Sequence, residues 1–362
     1  MKKNKIVFFL PSFENGGAEE TIITLANQLN IKYKNLSFIV GNKNGANKKK
    51  IDKNISLINL NKKRLLKCFG PINRIIVKLN PKIIITTLVH SNLFFCFLKY
   101  FYKYNFRLII RETNITPIKY FSFKEKFKFK FLNFLKKKLY NYADYVIAIN
   151  SKSKKELIDL GIKKNKIKIF NNPSIKKNFH EKIKEKIDGS LTKKKYLLYV
   201  GRLVAHKNLD FLLEVFYEIQ KKTNLNLILI GQGKEEEKIK KKIKYFGIEK
   251  KVFFLGYKNN PLPYIKKASL FVSLSDYEGQ PNSVIQSLAC GTKTLIKNFP
   301  GLDSKIKNSK TMILINKLIV SKISKQIIKE TKHNKRKTFD NKIIKNFNEN
   351  QFMYQITKLI NA

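Results

Sequence analysis

Short apolar runs rich in Ile, Val, Leu and Phe alternate with longer amphipathic, lysine-rich stretches along nearly the whole chain, and this alternation limits the fold more than any other feature. Runs this short, bounded by turn residues, suit strands buried on both faces, and the stretches between them suit crossover helices. The chain therefore reads as α/β with parallel sheets. The strand candidates "KIVFFL", "LSFIV", "ISLINL", "KIIITTL", "RLII", "YVIAI" and "KIKIF" precede a polar interval, "NNPSIKKNFHEKIKEKIDGSLTKKK". That interval has a turn signal at Asn172 and Pro173 and no apolar period, as a linker would. The alternation resumes with "YLLYVG", "LNLILIG", "VFFLG", "LFVSLS", "TLIKN" and "MILIN". At 362 residues, two domains suit the chain better than one core. The expected organisation is two doubly wound sheets in tandem: a domain over 1–172, a linker over 173–194, a second domain over 195–340, and a closing helical segment over 341–362 with the option of crossing back to the first domain.

The balance of 75 Lys+Arg against 25 Asp+Glu gives +50, which on its face points to nucleic acid or an anionic membrane surface. Only six of those basic residues are arginines, Arg64, Arg74, Arg107, Arg111, Arg202 and Arg336, whereas nucleic-acid interfaces lean on Arg for bidentate contacts. Lys, Asn, Ile and Phe are abundant in every segment, as a codon bias toward A and T produces, so most of the charge reads as solvated surface and nucleic acid is not expected as a partner. Cys68, Cys96 and Cys290 are odd in number and set in apolar surroundings, the pattern of buried free thiols in a reducing compartment. The start, "MKKNKIVFFLPSFENGG", lacks a small-residue cleavage site and reads as a first strand. "NLFFCFLKYFYKYNF" is broken by Lys99 and Lys103, short of the ~20 apolar residues that span a bilayer, so a soluble or peripheral cytoplasmic protein is expected. Residues 121–144, "FSFKEKFKFKFLNFLKKKLYNYAD", gather Phe and Leu broadly on one side of a helix and Lys on the other. They fit either a core helix with a solvated basic back or a surface that meets anionic headgroups.

Glycines stand where strands hand over to helices. In "PSFENGGAEE", Gly16 and Gly17 allow close approach of a ligand to the free amides of a helix start, and equally suit a plain cap. "YVGRLVAHKNLD" places Arg202 directly after a strand-end glycine and Lys207 at the entry to a helix, a cationic rim suited to a departing diphosphate. In "SDYEGQPNSVIQSLACG", Glu278 lies in the loop after a strand, Pro281 in a first helical turn, Gln286 inside the helix and Gly291 at its end. A carboxylate there can accept bonds from sugar hydroxyls while the amides near Gly279 donate to phosphate; the plainer alternative is a carboxylate favouring the helix dipole and a surface glutamine.

Together "GGAEE", "GRLVAHKN", "LIGQG", "FLGY" and "YEGQPNSVIQSLACGT" with "NFPG" resemble the retaining glycosyltransferases of family 4, in an order and spacing that span nearly the entire chain. The resemblance implies the GT-B fold, two Rossmann-like domains facing across a cleft, with the nucleotide sugar on the C-terminal domain and the acceptor on the N-terminal one. It implies that Arg202 and Lys207 grip the donor diphosphate, that Glu278 holds hydroxyls of the transferred sugar, and that Gly279, Gln280, Pro281 and Asn282 lie along the sugar and phosphate. Tyr257 is then expected near the base, Gly17 near the donor, and Gly16, Arg111 and Glu112 on the acceptor side. His90, at the end of "KIIITTLV", is a catalytic-site candidate or a structural histidine; the segment Arg111 to Asn114 faces the acceptor cleft in similar proteins. One position departs from the family pattern, which has Glu at both ends of the seven-residue gap, the second accepting from ribose. Gln286 stands there, an uncharged acceptor expected to be tolerated at some cost in donor affinity or choice, with reversion to Glu preserving or raising affinity.

No Asp-x-Asp occurs and the four histidines have no ligand spacing, so no metal and no cofactor are expected beyond the nucleotide sugar itself as co-substrate. The chain is accordingly read as a metal-independent hexosyl or N-acetylhexosaminyl transferase. It would use a nucleotide sugar, UDP-linked by preference, and act on a glycan or polyprenyl-diphosphate-linked acceptor in surface polysaccharide or lipopolysaccharide synthesis, at the inner membrane face. The alternatives are a nucleotide-sugar epimerase or hydrolase, or a non-catalytic nucleotide-sugar binding protein.

Overall fold

The computed structural model describes residues 5–14, 16–113, 123–187, 189–191, 194–332 and 338–362, and its contacts separate two compact units, Met1–Asn172 with Phe352–Ala362 and Pro173–Gln351. Among the described residues each unit holds one parallel sheet. In the first, β1 (Ile6–Leu10), β2 (Leu36–Val40), β3 (Ser56–Asn59), β4 (Ile83–Thr87), β5 (Arg107–Glu112), β6 (Tyr145–Ala148) and β7 (Ile167–Ile169) lie in the order β3-β2-β1-β4-β5-β6-β7. The order reverses beside β1, as in a doubly wound fold. Side-chain alternation feeds both faces. Val7, Phe9, Ile84, Leu108 and Ile110 pack with α2 (Phe69–Leu79) and α3 (Val89–Tyr102), while Ile6, Phe8, Ile85, Ile109 and Ile147 pack with α1 (Gly17–Lys32). Further along come α4 (Phe123–Leu139) and α5 (Ser151–Asp159).

The second unit repeats the plan with six strands, β8 (Tyr196–Val200), β9 (Asn226–Ile230), β10 (Val252–Phe254), β11 (Leu270–Ser273), β12 (Thr294–Lys297) and β13 (Met312–Ile315), in the order β10-β9-β8-β11-β12-β13. Its helices are α6 (Phe179–Ile183), α7 (Leu209–Gln220), α8 (Glu236–Tyr245), α9 (Leu262–Lys267), α10 (Asn282–Ala289), α11 (Ser304–Lys307), α12 (Val320–Lys332) and α13 (Asn341–Phe347). The last helix, α14 (Glu349–Asn361), belongs to the first unit from Phe352 on, where Phe352, Ile356 and Ile360 are buried with α1. Arg107 donates through Nη1 to the carbonyls of Leu359 and Ile360 at 3.0 and 3.1 Å, satisfying groups that a helix end leaves open.

Two expectations change. The interval 173–194 is not a free linker where it is described. Ile175, Phe179, Ile187 and Leu191 are buried in the core of the second unit, and Ile175 exchanges backbone hydrogen bonds of 3.0 Å with Phe347 and Glu349. On α4, the core side is taken by the partly buried Leu132, Leu135 and Leu139, whereas Phe123, Phe127, Phe131 and Phe134 are 86, 72, 55 and 56% exposed. These four phenylalanines thus part company with the leucines and lie outside among the lysines, while Phe129 is half-buried. Residues 121 and 122 of that segment, and Asn114, lie outside the described residues. The three cysteines are free and buried.

Candidate active site

Three strand ends in the second unit are laced together by glycines. A Cβ on Gly231, whose φ is +143°, would stand 1.8 Å from the carbonyl oxygen of Gly201, and one on Gly233 would stand 2.1 Å from that of Leu203. The loops after β8 and β9 can therefore run side by side only with glycine at these positions. The Gly231 amide donates to Gly256 O at 2.8 Å, which brings in the loop after β10 with Tyr257, 60% exposed.

The loop after β8 is tied just as closely to the loop after β11. Asp276 N donates to His206 O at 2.9 Å, and Asn208, in the left-handed region at φ 55°, donates through Nδ2 to Leu274 O at 2.8 Å. These ties bring Lys207 onto Glu278: Nζ bonds Oε1, with the two side chains only 10 and 17% exposed. The buried Ser275 donates to the same oxygen at 2.8 Å, fixing the carboxylate from beneath. Among the described residues nothing bonds the Arg202 guanidinium, while its carbonyl accepts from the Tyr199 hydroxyl at 2.8 Å. Asp276, next in the loop, is paired with Lys297 at the end of β12.

His206 is at the electrostatic centre of this cluster and stacks on Tyr277, with ring centroids 4.3 Å apart and planes 21° from parallel. Burial lowers its pKa, Lys207 and Arg202 push the same way, and Glu278 and Asp276 oppose them. The Tyr199 hydroxyl is pushed well up by burial and then by the Glu278 charge. Of the residues named from the sequence, Lys207 and Glu278 are bonded, and Arg202 acts on the same His206 and Tyr199 as Glu278 does; His206, Tyr277 and Ser275 carried no periodic or motif signal of their own beyond lying inside the quoted stretches.

Gly279, Gln280 and the buried Pro281 lead into α10, where Ile285 N bonds Pro281 O at 3.0 Å and Gly291, at φ +69°, ends the helix. A Cβ at Gly291 would fall 1.7 Å from Thr338 O, so the position accepts no side chain without a shift. Gln280, Asn282 and Gln286 all reach Ser174, a residue with no motif or periodic signal of its own. Gln280 Nε2 donates to its hydroxyl at 2.8 Å, the hydroxyl donates to Asn282 Oδ1 at 2.8 Å, and Gln286 Nε2 donates to its carbonyl at 3.2 Å.

In the first unit the expected residues lie at the carboxyl ends of β1, β4 and β5. Gly16 caps α1 in an extended conformation, and a Cβ there would require the Glu19 carboxylate to swing aside; a Cβ at Gly17 would meet nothing within 4 Å, so the surface there is open. His90 is exposed in the first turn of α3, behind Leu88 at the unusual φ of +72°, and partial desolvation and Lys128 lower its pKa. Arg111 is buried, donates through Nη2 to Asn172 Oδ1, and leaves Nε and Nη1 without partners; burial lowers its pKa to about 10. Glu112, on the other face, is buried against the Tyr140 hydroxyl at 2.7 Å and Lys136 Nζ at 3.3 Å, so it anchors α4 to β5. Among the described residues no three His, Cys, Asp or Glu side chains are grouped as metal ligands are, and no helix is long and apolar enough to cross a membrane.

Residues 15–173 match the family model described as Glycosyltransferase Family 4, and residues 180–347 match that of glycosyl transferases group 1. Over 185 residues the chain is 32% identical to the N-acetylgalactosamine-N,N'-diacetylbacillosaminyl-diphospho-undecaprenol 4-alpha-N-acetylgalactosaminyltransferase of Campylobacter jejuni, covering 51% of this chain and 49% of that one. A second Campylobacter jejuni protein, the GalNAc-alpha-(1->4)-GalNAc-alpha-(1->3)-diNAcBac-PP-undecaprenol alpha-1,4-N-acetyl-D-galactosaminyltransferase, is 26% identical over 332 residues, 86% of this chain and 88% of it. The chain spans about half the length of the first curated relatives it matches, 49% of each of two. Among solved structures, HepE of Anabaena in complex with UDP-glucose superposes with a TM-score of 0.81 at 15% identity over 98% of this chain and 99% of that one. WaaG, a glycosyltransferase involved in lipopolysaccharide biosynthesis, superposes with a TM-score of 0.70 at 13% identity, covering 97 and 95%. At these identities the likeness concerns the fold, which is GT-B.

Proposed function

Since the chain belongs to the family 4 type of GT-B glycosyltransferases, we propose that it moves a hexose or N-acetylhexosamine, with retention, from a UDP-sugar to a glycan or polyprenyl-diphosphate-linked acceptor in surface polysaccharide synthesis. The observation that carries this reading is the bonded pair of Lys207 and Glu278, next to Arg202 with its uncommitted guanidinium, at the carboxyl ends of β8 and β11. A nucleotide sugar needs cation at the diphosphate and an acceptor of hydrogen bonds at the sugar hydroxyls, and this cluster offers both within one unit. The choice of UDP is supported by the UDP-glucose complex of HepE, and the choice of acceptor by the undecaprenol-linked substrates in the names of the Campylobacter relatives.

In the proposed reaction the acceptor hydroxyl oxygen bonds the anomeric carbon as the carbon–oxygen bond to phosphate breaks on the same face. The acceptor proton passes to the departing phosphate oxygen, and the products are the glycoside and UDP. Arg202 and Lys207 stabilise the growing charge on the diphosphate, Glu278 Oε2 accepts from the sugar hydroxyls, and the first amides of α10 lie along the phosphate. In this scheme no divalent ion is required, so an excess of chelator should leave the rate unchanged. His90 is assigned to the sugar side and Arg111 to the acceptor side. The exposed phenylalanines and lysines of α4 support contact with the membrane in which such an acceptor resides, in this proposal the inner face of the cytoplasmic membrane.

Incubation with radiolabelled UDP-sugars and a polyprenyl-diphosphate glycan tests the proposal: transfer predicts UDP release that requires acceptor. Release or isomerisation of the sugar without acceptor would identify a hydrolase or epimerase instead, and saturable binding with no turnover would identify a binding protein.

A further inference from the structure

Ser174 collects three side chains from one short stretch of the donor loop and α10, and at its carbonyl the polarity of the bond is fixed. Its hydroxyl has a single proton, which goes to Asn282 Oδ1, and receives one from Gln280 Nε2. Its backbone carbonyl can only accept, so the group that bonds it from position 286 must donate. An amide can do this and an ionised carboxylate cannot. The bond therefore orients Gln286 with Nε2 toward Ser174 and leaves Oε1 as the acceptor on the other side. Ser174 is 6% exposed, so its polar groups have little water to fall back on.

From this geometry we infer that Gln286 is not a weakened stand-in for a carboxylate: its amide is the donor that locks α10 to Ser174, and Ser174 is a positioning residue for the donor loop Glu278–Asn282. The inference rests on the donor-site reading above for its effect on substrate, and on hydrogen-bond polarity alone for its effect on the fold. It reverses the expectation from the sequence. Glutamate at 286 would set an anionic oxygen against the Ser174 carbonyl at about 3 Å, pushing the first turns of α10 and the loop before it out of place. Only when that carboxyl is protonated can it donate as the amide does.

The full chain with Gln286→Glu, Gln286→Met and Ser174→Ala would be compared with wild type for UDP-sugar dissociation constant, KM, kcat and melting temperature, each across pH. Gln286→Glu should bind the UDP-sugar roughly tenfold more weakly at neutral pH and melt lower, and both defects should shrink as pH falls toward the carboxylic range, about 4–5. Gln286→Met, which can neither donate nor ionise, should show a smaller defect with no such recovery. Ser174→Ala keeps the carbonyl but removes the hydroxyl that Gln280 and Asn282 share, so it should raise KM with kcat nearly retained. A Gln286→Glu protein that binds as tightly as wild type at neutral pH, with a flat pH profile, would overturn the inference. If wild type bound no UDP-sugar at all, the donor reading would fail on its own, and the pH-dependent melting of Gln286→Glu would still decide whether the amide bond exists. Should Gln286→Glu not fold at neutral pH, refolding it under acid and titrating upward gives the same decision, and Gln286→Met melting like wild type would count against the lock.

Discussion

Lys207 Nζ and Glu278 Oε1 are bonded to one another across 71 residues of sequence, joining the loop after β8 to the loop after β11. The pair is mostly withdrawn from water, and among the described residues Ser275 is the other group bonded to that carboxylate oxygen. Removing one partner leaves the other charge desolvated. Lys207→Met should therefore destabilise the fold by about 1–3 kcal/mol, the cost of stranding a buried partner, and lower transfer by roughly 10²–10³-fold. Glu278→Gln should lose a comparable factor in rate. In a double-mutant cycle the two stability losses should fail to add, with a coupling of about 0.5–3 kcal/mol, read by urea denaturation; additive losses would show that the bond contributes nothing.

Arg202 makes the contrasting case. Its guanidinium is bonded by nothing among the described residues, while its backbone is held by Tyr199. Arg202→Ala should therefore leave stability within about 0.5 kcal/mol and still cut kcat/KM by roughly 10²–10³-fold. Arg202→Lys should recover part of that loss, because charge is kept and the bidentate fork is not. A normal rate in Arg202→Ala would remove it from the donor site.

The thirteen strands were legible because each is a compact apolar run that needs no knowledge of its neighbours, and the strand-end glycines were legible because close backbone approach admits no other residue. The polar interval after Asn172 misled because Ile175, Phe179, Ile187 and Leu191 are spaced irregularly among lysines, so burial follows from tertiary contacts and not from a period. The same limit hid Ser174 and Ser275. A serine has no pattern, and the contact of Ser174 with Gln286 spans 112 residues. On α4 the helical period was visible but its phase was not: Leu132, Leu135 and Leu139 and the phenylalanines lie on adjacent sectors, and only packing against β5 and α3 decides which sector faces inward.

His206 supplies a pH dependence with a definite sign. Its folded pKa lies below the ordinary 6.5, chiefly through burial and then through Lys207, and Glu278 and Asp276 oppose the shift only in part. Above 6.5 neither the folded nor the unfolded chain protonates it and its contribution is complete. As pH falls below 6.5 the unfolded chain takes up a proton that the folded one refuses, so stability is lost until the folded pKa is passed. Wild type should therefore lose stability relative to His206→Gln between 6.5 and the folded pKa, with a constant difference above. Because His90 is shifted the same way, only the difference between the two proteins isolates His206; a difference flat through this range would show that the ring titrates normally.

The outward phenylalanines of α4 fall at spacings of four, four and three residues, from Phe123 through Phe127 and Phe131 to Phe134, which places them in one line along the helix. Tyr100 and Phe101 of the neighbouring α3 are also largely exposed. Lysines flank the line, and Glu125 is the acidic residue of the first turn. Such a surface should bind anionic bilayers by two separable contributions, aromatic insertion and a charge attraction screened by salt. Phe127→Ser with Phe131→Ser should abolish co-flotation with vesicles of anionic phospholipid even at low salt, with soluble-substrate binding unchanged, since these rings belong to the first unit and the donor residues to the second. Replacing exposed Lys126, Lys130 and Lys137 with Gln should instead weaken binding to anionic vesicles and flatten its salt dependence. If the phenylalanine variant floats as wild type does, the line is ordinary surface, and a membrane-bound acceptor must be reached by some other part of the chain.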